Sequence, residues 1–165
     1  MGMRLAAIWI VIPGLIASSG LAQPSSSHQE RIVIEAEMEV HDAVTQFLDL
    51  LGGLRFDVLG ELMTDNANVI TVRSTRSGFV NRVQSREEWL AGLMEAPPRP
   101  FREVLTNVEI DIVSGELATV KADFAIVRDT GVASRGVDWF TLIRHQDRWK
   151  LASIAFTSIP EPPNP

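Results

Sequence analysis

Gly136-Val137-Asp138-Trp139-Phe140-Thr141-Leu142-Ile143-Arg144 is followed, across His145-Gln146-Asp147, by Arg148-Trp149-Lys150-Leu151-Ala152-Ser153-Ile154. Large apolar side chains recur at every second position in both runs, the period of a strand with one buried face. The polar break between them is hairpin length, so the two strands are antiparallel neighbours. The same period extends outward. Phe101–Val113, Leu117–Arg128, Ala133–Arg144 and Arg148–Ser158 read as four long strands joined by Ser114-Gly115-Glu116, Asp129-Thr130-Gly131 and His145-Gln146-Asp147.

Upstream the period changes. Val33, Ala36, Val40, Ala43, Val44, Phe47, Leu48 and Leu51 follow helical spacing over Glu30 to Leu51, and Gly52-Gly53 marks a stop. Phe56 to Met63 reads as a second, short helix, and Asn68–Val72 as a short strand. Arg73 to Gln84 is polar and reads as a loop. Ser85-Arg86-Glu87-Glu88 is a capping box that opens a third helix through Trp89, Leu90, Leu93 and Met94, stopped by Pro97-Pro98-Arg99-Pro100. The predicted fold is α+β: three N-terminal helices on one face of a strongly curved, mostly antiparallel sheet.

This order of elements resembles the nuclear transport factor 2-like superfamily, which includes SnoaL-like polyketide cyclases and ketosteroid isomerases. The resemblance rests on the segment from Phe56 to Val69, on Ser85-Arg86-Glu87-Glu88-Trp89-Leu90, and above all on the two strands quoted first. It covers nearly all of residues 30–158. It implies a cone whose sheet wraps a helix-covered pocket, with a homodimer through the outer sheet face. It is almost silent on activity, because the superfamily spans isomerases, dehydratases, cyclases, epoxide hydrolases and non-catalytic binding domains. The chain has no tyrosine, so the phenol-based oxyanion site of ketosteroid isomerases is excluded, and the Asp-Arg-Asp set of the epoxide hydrolases has no clear match.

Register follows from the turns. With Arg144 opposite Trp149, Leu142 faces Leu151, Phe140 faces Ser153 and Asp138 faces Ala155. One sheet face then carries Phe124, Asp138, Phe140, Leu142, Trp149, Leu151, Ser153 and Thr157 and meets the helices. The other carries Trp139, Ile143, Ile154 and Phe156, too apolar for water, and is the expected dimer face.

Asp138 is the odd member of the inner face. Desolvation among Phe124 and Phe140 raises a carboxyl's pKa and suits it to general acid or base work. The alternative is an aspartate satisfied by the backbone, Ser153 or Thr157, and a one-residue slip would turn it outward. His41 lies one helical turn from Glu37 and is the candidate assistant in proton transfer, against a plain half-exposed helix pair. Trp89, Phe124, Phe140 and Ser153 are candidate ligand contacts. Arg73, with Arg76 and Arg82, is placed to meet an anionic group at the cone's mouth.

Composition removes whole classes. The 165 residues carry a formal net charge of −6 and no cysteine. That excludes disulfides, thiolate metal sites and cysteine nucleophiles, and it argues against a nucleic-acid partner. No metal-ligand spacing, phosphate loop, dinucleotide fingerprint or nucleophile elbow occurs, so neither metal nor cofactor is expected. The expected partner is a small apolar or amphipathic molecule. Two readings stand beside simple binding: a dehydratase, cyclase or isomerase using Asp138, and an interaction module working through the sheet.

Residues 1–22 read as a secretory signal peptide, with Arg4, the apolar run Leu5 to Ile16, and small residues before a cut after Ala22. The run is shorter than the roughly 20 residues of a membrane span, which disfavours an uncleaved anchor. Loss of Arg4 takes the charge from −6 to −7. Residues 23–29 read as a flexible leader and 159–165 as a proline-rich tail. The expected address is exported, periplasmic or secreted, with no membrane attachment after cleavage.

Overall fold

The computed structural model describes residues 26–161; the signal-peptide reading of residues 1–22 lies outside them. Helix α1 runs Ser26–Gly52, α2 Phe56–Leu59 with a 3₁₀ turn over Gly60–Leu62, and α3 Arg86–Glu95. The strands are β1 Met63–Thr75, β2 Gly78–Ser85, β3 Arg102–Val113, β4 Leu117–Arg128, β5 Gly131–His145 and β6 Arg148–Pro160. They form one open six-stranded sheet in the order β2-β1-β6-β5-β4-β3, antiparallel except where β1 runs parallel to β6. The four long strands therefore form as expected, with ends shifted by at most two residues.

Helix α1 is held by Val40, Val44, Phe47, Leu48 and Leu51, spaced as one apolar stripe and all buried. Its first turns differ from expectation. The helix begins within the expected leader, and Val33, assigned to the stripe, is exposed along with Ile32, Ile34 and Met38. Its C-terminus falls at Gly52, as expected. The left-handed residue after the helix is Leu54 at φ 60°, while Gly52 serves close approach: its carbonyl accepts from the Phe101 N–H at 3.1 Å, and a Cβ there would strike the Phe101 carbonyl. Opposite α1, the sheet buries Val120, Ala122, Phe124, Phe140, Leu142, Trp149, Leu151 and Ile154. The α3 capping box forms as read, with Ser85 Oγ accepting from the Glu88 N–H at 3.2 Å and Glu88 Oε2 accepting from the Ser85 N–H at 3.0 Å.

Three expectations need correction. Arg73 to Gln84 is not a loop but the end of β1, a two-residue turn and β2, with Gly78 at φ 119° completing the turn. The register at Phe140 also moves. A bulge in β6 sets Thr141 opposite Ser153, so Phe140 faces Ile154 and Asp138 faces Phe156. Beyond that bulge every β6 side chain changes face. Ser153 and Thr157 turn outward, and Ile154, 3% exposed, joins the core with Phe156 packed against it. The outer face expected to carry Ile154 and Phe156 therefore keeps only Trp139 and Ile143. Finally, β6 runs on to Pro160, opposite Ser134. Its pairing with β1 ends at Ser158, so the missing proline N–H removes no bond on that side.

Candidate functional site: a buried carboxyl pair

Asp138 reaches the inner face because β5 is regular from Asp138 to Leu142, which puts it in phase with Phe140 and Leu142. It is 2% exposed, and its Oδ2 has no hydrogen-bond partner among the described residues. Neither Ser153 nor Thr157 satisfies it. Ser153 faces outward, and the Thr157 hydroxyl accepts from the Val137 N–H at 3.0 Å.

The neighbour that matters is Glu103, which the sequence reading did not single out. Ile110 and Ile112 lie opposite the buried Val120 and Ala118, so strict alternation along β3 would turn Glu103 outward. A bulge between Thr106 and Glu109, with Asn107 at φ 52°, shifts the phase and brings Glu103 and Leu105 to the inner face. Asn107 also donates to Asp123 Oδ2 at 2.7 Å, which holds the bulge in place. The available signal was Asn107 itself, a residue type that tolerates the left-handed region inside an otherwise regular strand.

β5 has its own adaptation at Gly136. A Cβ there would collide with the Thr157 carbonyl and come within 2.7 Å of the Phe124 ring. The bare backbone lets Phe124 pack across β5, two residues from Asp138.

The two carboxyls influence each other's titration. Burial pushes the Asp138 carboxyl up, the negative charge of Glu103 pushes it further, and a hydrogen bond to Glu103 favours the protonated form, giving a pKa of about 9. Burial raises Glu103 as well, while the hydrogen bond from Asp138 pulls it back. At neutral pH the Asp138 carboxyl is therefore protonated. Glu103 is the partly exposed member of the pair.

The other candidates fall in different places. Phe124 and Phe140 line the interior with Asp138, at 5% and 0% exposure. Trp89 is a wall of the core, stacked on Phe47 with ring centroids 6.1 Å apart. Arg73, opposite the buried Ser158, shares the inner face but is exposed at its rim. His41 is exposed on α1 with Nδ1 3.7 Å from Asp42 Oδ1 and takes no part in the carboxyl pair. Two open concavities of about 400 Å³ each are present, one between β1, β2 and the start of α3, the other lined by Val104, Thr106, Ala125, Arg135 and Gly136 and reaching Phe124. Neither is lined by Asp138. Among the described residues no cluster of His, Asp and Glu could hold a metal ion, and no helix is long and apolar enough to cross a membrane.

No model of a known protein family matches the sequence, and no curated protein matches it. Solved structures do match. A nuclear transport factor 2-like protein with a cystatin-like fold from Novosphingobium aromaticivorans superposes with a TM-score of 0.65 at 13% identity, covering 84% of this chain and 91% of its own. A proposed scytalone dehydratase from the same organism gives 0.61 at 15% identity, covering 79% of this chain and 87% of its own. The beta subunit of a proposed aromatic-ring-hydroxylating dioxygenase, again from that organism, gives 0.60 at 15%, covering 79% and 92%. The chain thus has the nuclear transport factor 2-like, cystatin-like fold.

Proposed function

We propose that the chain binds a small, neutral, largely apolar molecule inside the cone and moves a proton on it with Asp138 and Glu103, as a lyase or isomerase does. The observation that carries this reading is the Asp138 carboxyl, buried and unpartnered at Oδ2, whose pKa burial and the neighbouring Glu103 raise to about 9. Such a pair supplies an acid and a base at once. For a hydroxylated ligand, Asp138 gives its proton to the leaving oxygen as the C–O bond breaks. Glu103 takes a proton from the adjacent carbon, and those C–H electrons form the new C=C bond. The pair still holds one proton, which returns to Asp138 along the shared hydrogen bond.

Binding without turnover is the second reading, favoured by the apolar walls Phe124 and Phe140. Arg73 at the rim is the candidate contact for any polar tail, and His41 is assigned no part. We also propose export, on the strength of residues 1–22, and self-association through Trp139 and Ile143, which are 49% and 36% exposed.

Native mass spectrometry of the purified protein, followed by turnover of whatever neutral molecule co-purifies, tests the reading. Asp138→Asn is expected to retain the ligand and lose conversion by about a hundredfold or more, the scale of general acid catalysis. Conversion that survives in both Asp138→Asn and Glu103→Gln overturns the catalytic reading and leaves binding.

A further inference from the structure

The two edges of the sheet are built differently. β3, at one edge, is broken by the Asn107 bulge and carries Glu103, Glu109 and Asp111, the features that keep an edge from pairing with another chain. β2, at the other, has no bulge and a single charged side chain, Arg82. It pairs with β1 in unbroken register from Gly78 to Ser85, so its far side presents unpaired backbone donors and acceptors among the described residues. Its apolar side chains are open, with Phe79 72%, Val80 57% and Val83 70% exposed.

Charge is segregated at the same place. Residues 66–84 hold Arg73, Arg76 and Arg82 and no acidic residue, in a chain of net charge −6. None of the three arginines is in an ion pair among the described residues. Arg82 lies opposite Thr71 and Val80 opposite Arg73, so both guanidinium-bearing positions share one face of the hairpin while Phe79 and Val83 share the other.

We infer that β2 is a docking edge for an extended acidic segment of a partner protein, which adds to the sheet as a seventh strand. Backbone bonds along the edge hold it, as in strand addition generally. Its apolar side chains meet Phe79 and Val83, and its alternate carboxylates meet Arg82 and Arg73. Like charge on the hairpin disfavours a second copy docking β2 on β2. Nucleic acid fits less well, because the open apolar side chains beside the arginines are mostly aliphatic and offer bases little to stack on.

The probe is a fluorescein-labelled octapeptide of alternating Glu and Val, titrated against the full chain by anisotropy. Saturable binding is expected, weakened at least fivefold by Arg82→Glu and by raising salt to about 0.5 M. Two further peptides, N-methylated at alternate residues in opposite phases, separate strand addition from charge attraction. One phase is expected to lose binding at least tenfold and the other to keep it. Equal binding by both, equal binding of a Lys-Val peptide, or binding of an oligonucleotide or of anionic vesicles without the peptide, overturns the inference. Arg76→Gln, in the exposed turn, gives a second variant should Arg82→Glu fail to fold, with an expected loss of about twofold or more; undiminished binding counts against the inference.

Discussion

Asp138→Asn should make the protein more stable at pH 8 and flatten its dependence on pH. In the unfolded chain the carboxyl titrates near its ordinary 3.8, and in the folded chain near 9. The folded state therefore holds a proton that the unfolded state has released, so stability is complete below about pH 4 and is lost progressively as pH rises toward 9. Each pH unit in that window costs about 1.4 kcal/mol for one proton, so the loss by pH 7 is on the order of 4 kcal/mol. Glu103, also raised, acts in the same direction. The carboxyls lowered by arginine or backbone partners, Asp57 and Glu87, act in the opposite sense and only below about pH 5, outside the window. Asparagine keeps the shape of the side chain, cannot ionise and can still donate to Glu103.

The assay is urea denaturation of wild type and variant at pH 5, 6, 7 and 8, with a common slope against urea. Wild-type stability should fall by several kcal/mol across the series, the variant's by much less, and the two curves should cross. A wild-type curve that is flat from pH 5 to 8, or a variant that falls in parallel, would refute the reasoning. A domain of this size is stable by only about 5–15 kcal/mol, so a loss of several of them between acid and neutral pH is a large fraction of the whole and readily measured.

Other outcomes follow from the same geometry. Gly136→Ala should destabilise the fold by about 3 kcal/mol or more, read as a drop in Tm, because the new methyl meets both a backbone carbonyl and the Phe124 ring. Glu103→Gln should lower the Asp138 pKa by removing the neighbouring negative charge, while leaving it above 3.8 through burial; an unchanged titration would mean that the two carboxyls do not interact. Replacing Gln146-Asp147, both at positive φ (49° and 61°), with Asn-Gly should add about 1 kcal/mol to the β5–β6 turn, measured by thermal unfolding. Trp139→Glu should shift the protein to a smaller species in light scattering if the outer face self-associates; an unchanged mass would reject that interface.

Much of the fold was legible because its signals are periodic. The alternation from Gly136 to Ile154 and the spacing from Val40 to Leu51 each repeat often enough to survive one irregularity, and the α3 capping box is a local reciprocal contact. What was not legible is what breaks a period. A bulge is one extra residue with little side-chain signature, yet the one in β6 turned Ser153 outward and Ile154 inward, and the one in β3 brought Glu103 inside. Asp138 was found because the bulge is on β6 and β5 itself keeps its alternation; its partner was missed because it lies beyond a bulge in its own strand. β2 was taken for a loop because the stretch from Arg73 to Gln84 is mostly polar. Its strand character comes from pairing with β1 across a tight turn; its apolar residues Phe79, Val80 and Val83 stay exposed and join no core.

The central claim is that Asp138 holds a proton at neutral pH inside the cone. Selective carbon-13 labelling of aspartate side chains, with Asp138→Asn to assign the signal, permits a direct NMR titration of this carboxyl. A midpoint near 9, moving down in Glu103→Gln, is the predicted result. A midpoint in the ordinary aspartate range near 4 would contradict the account.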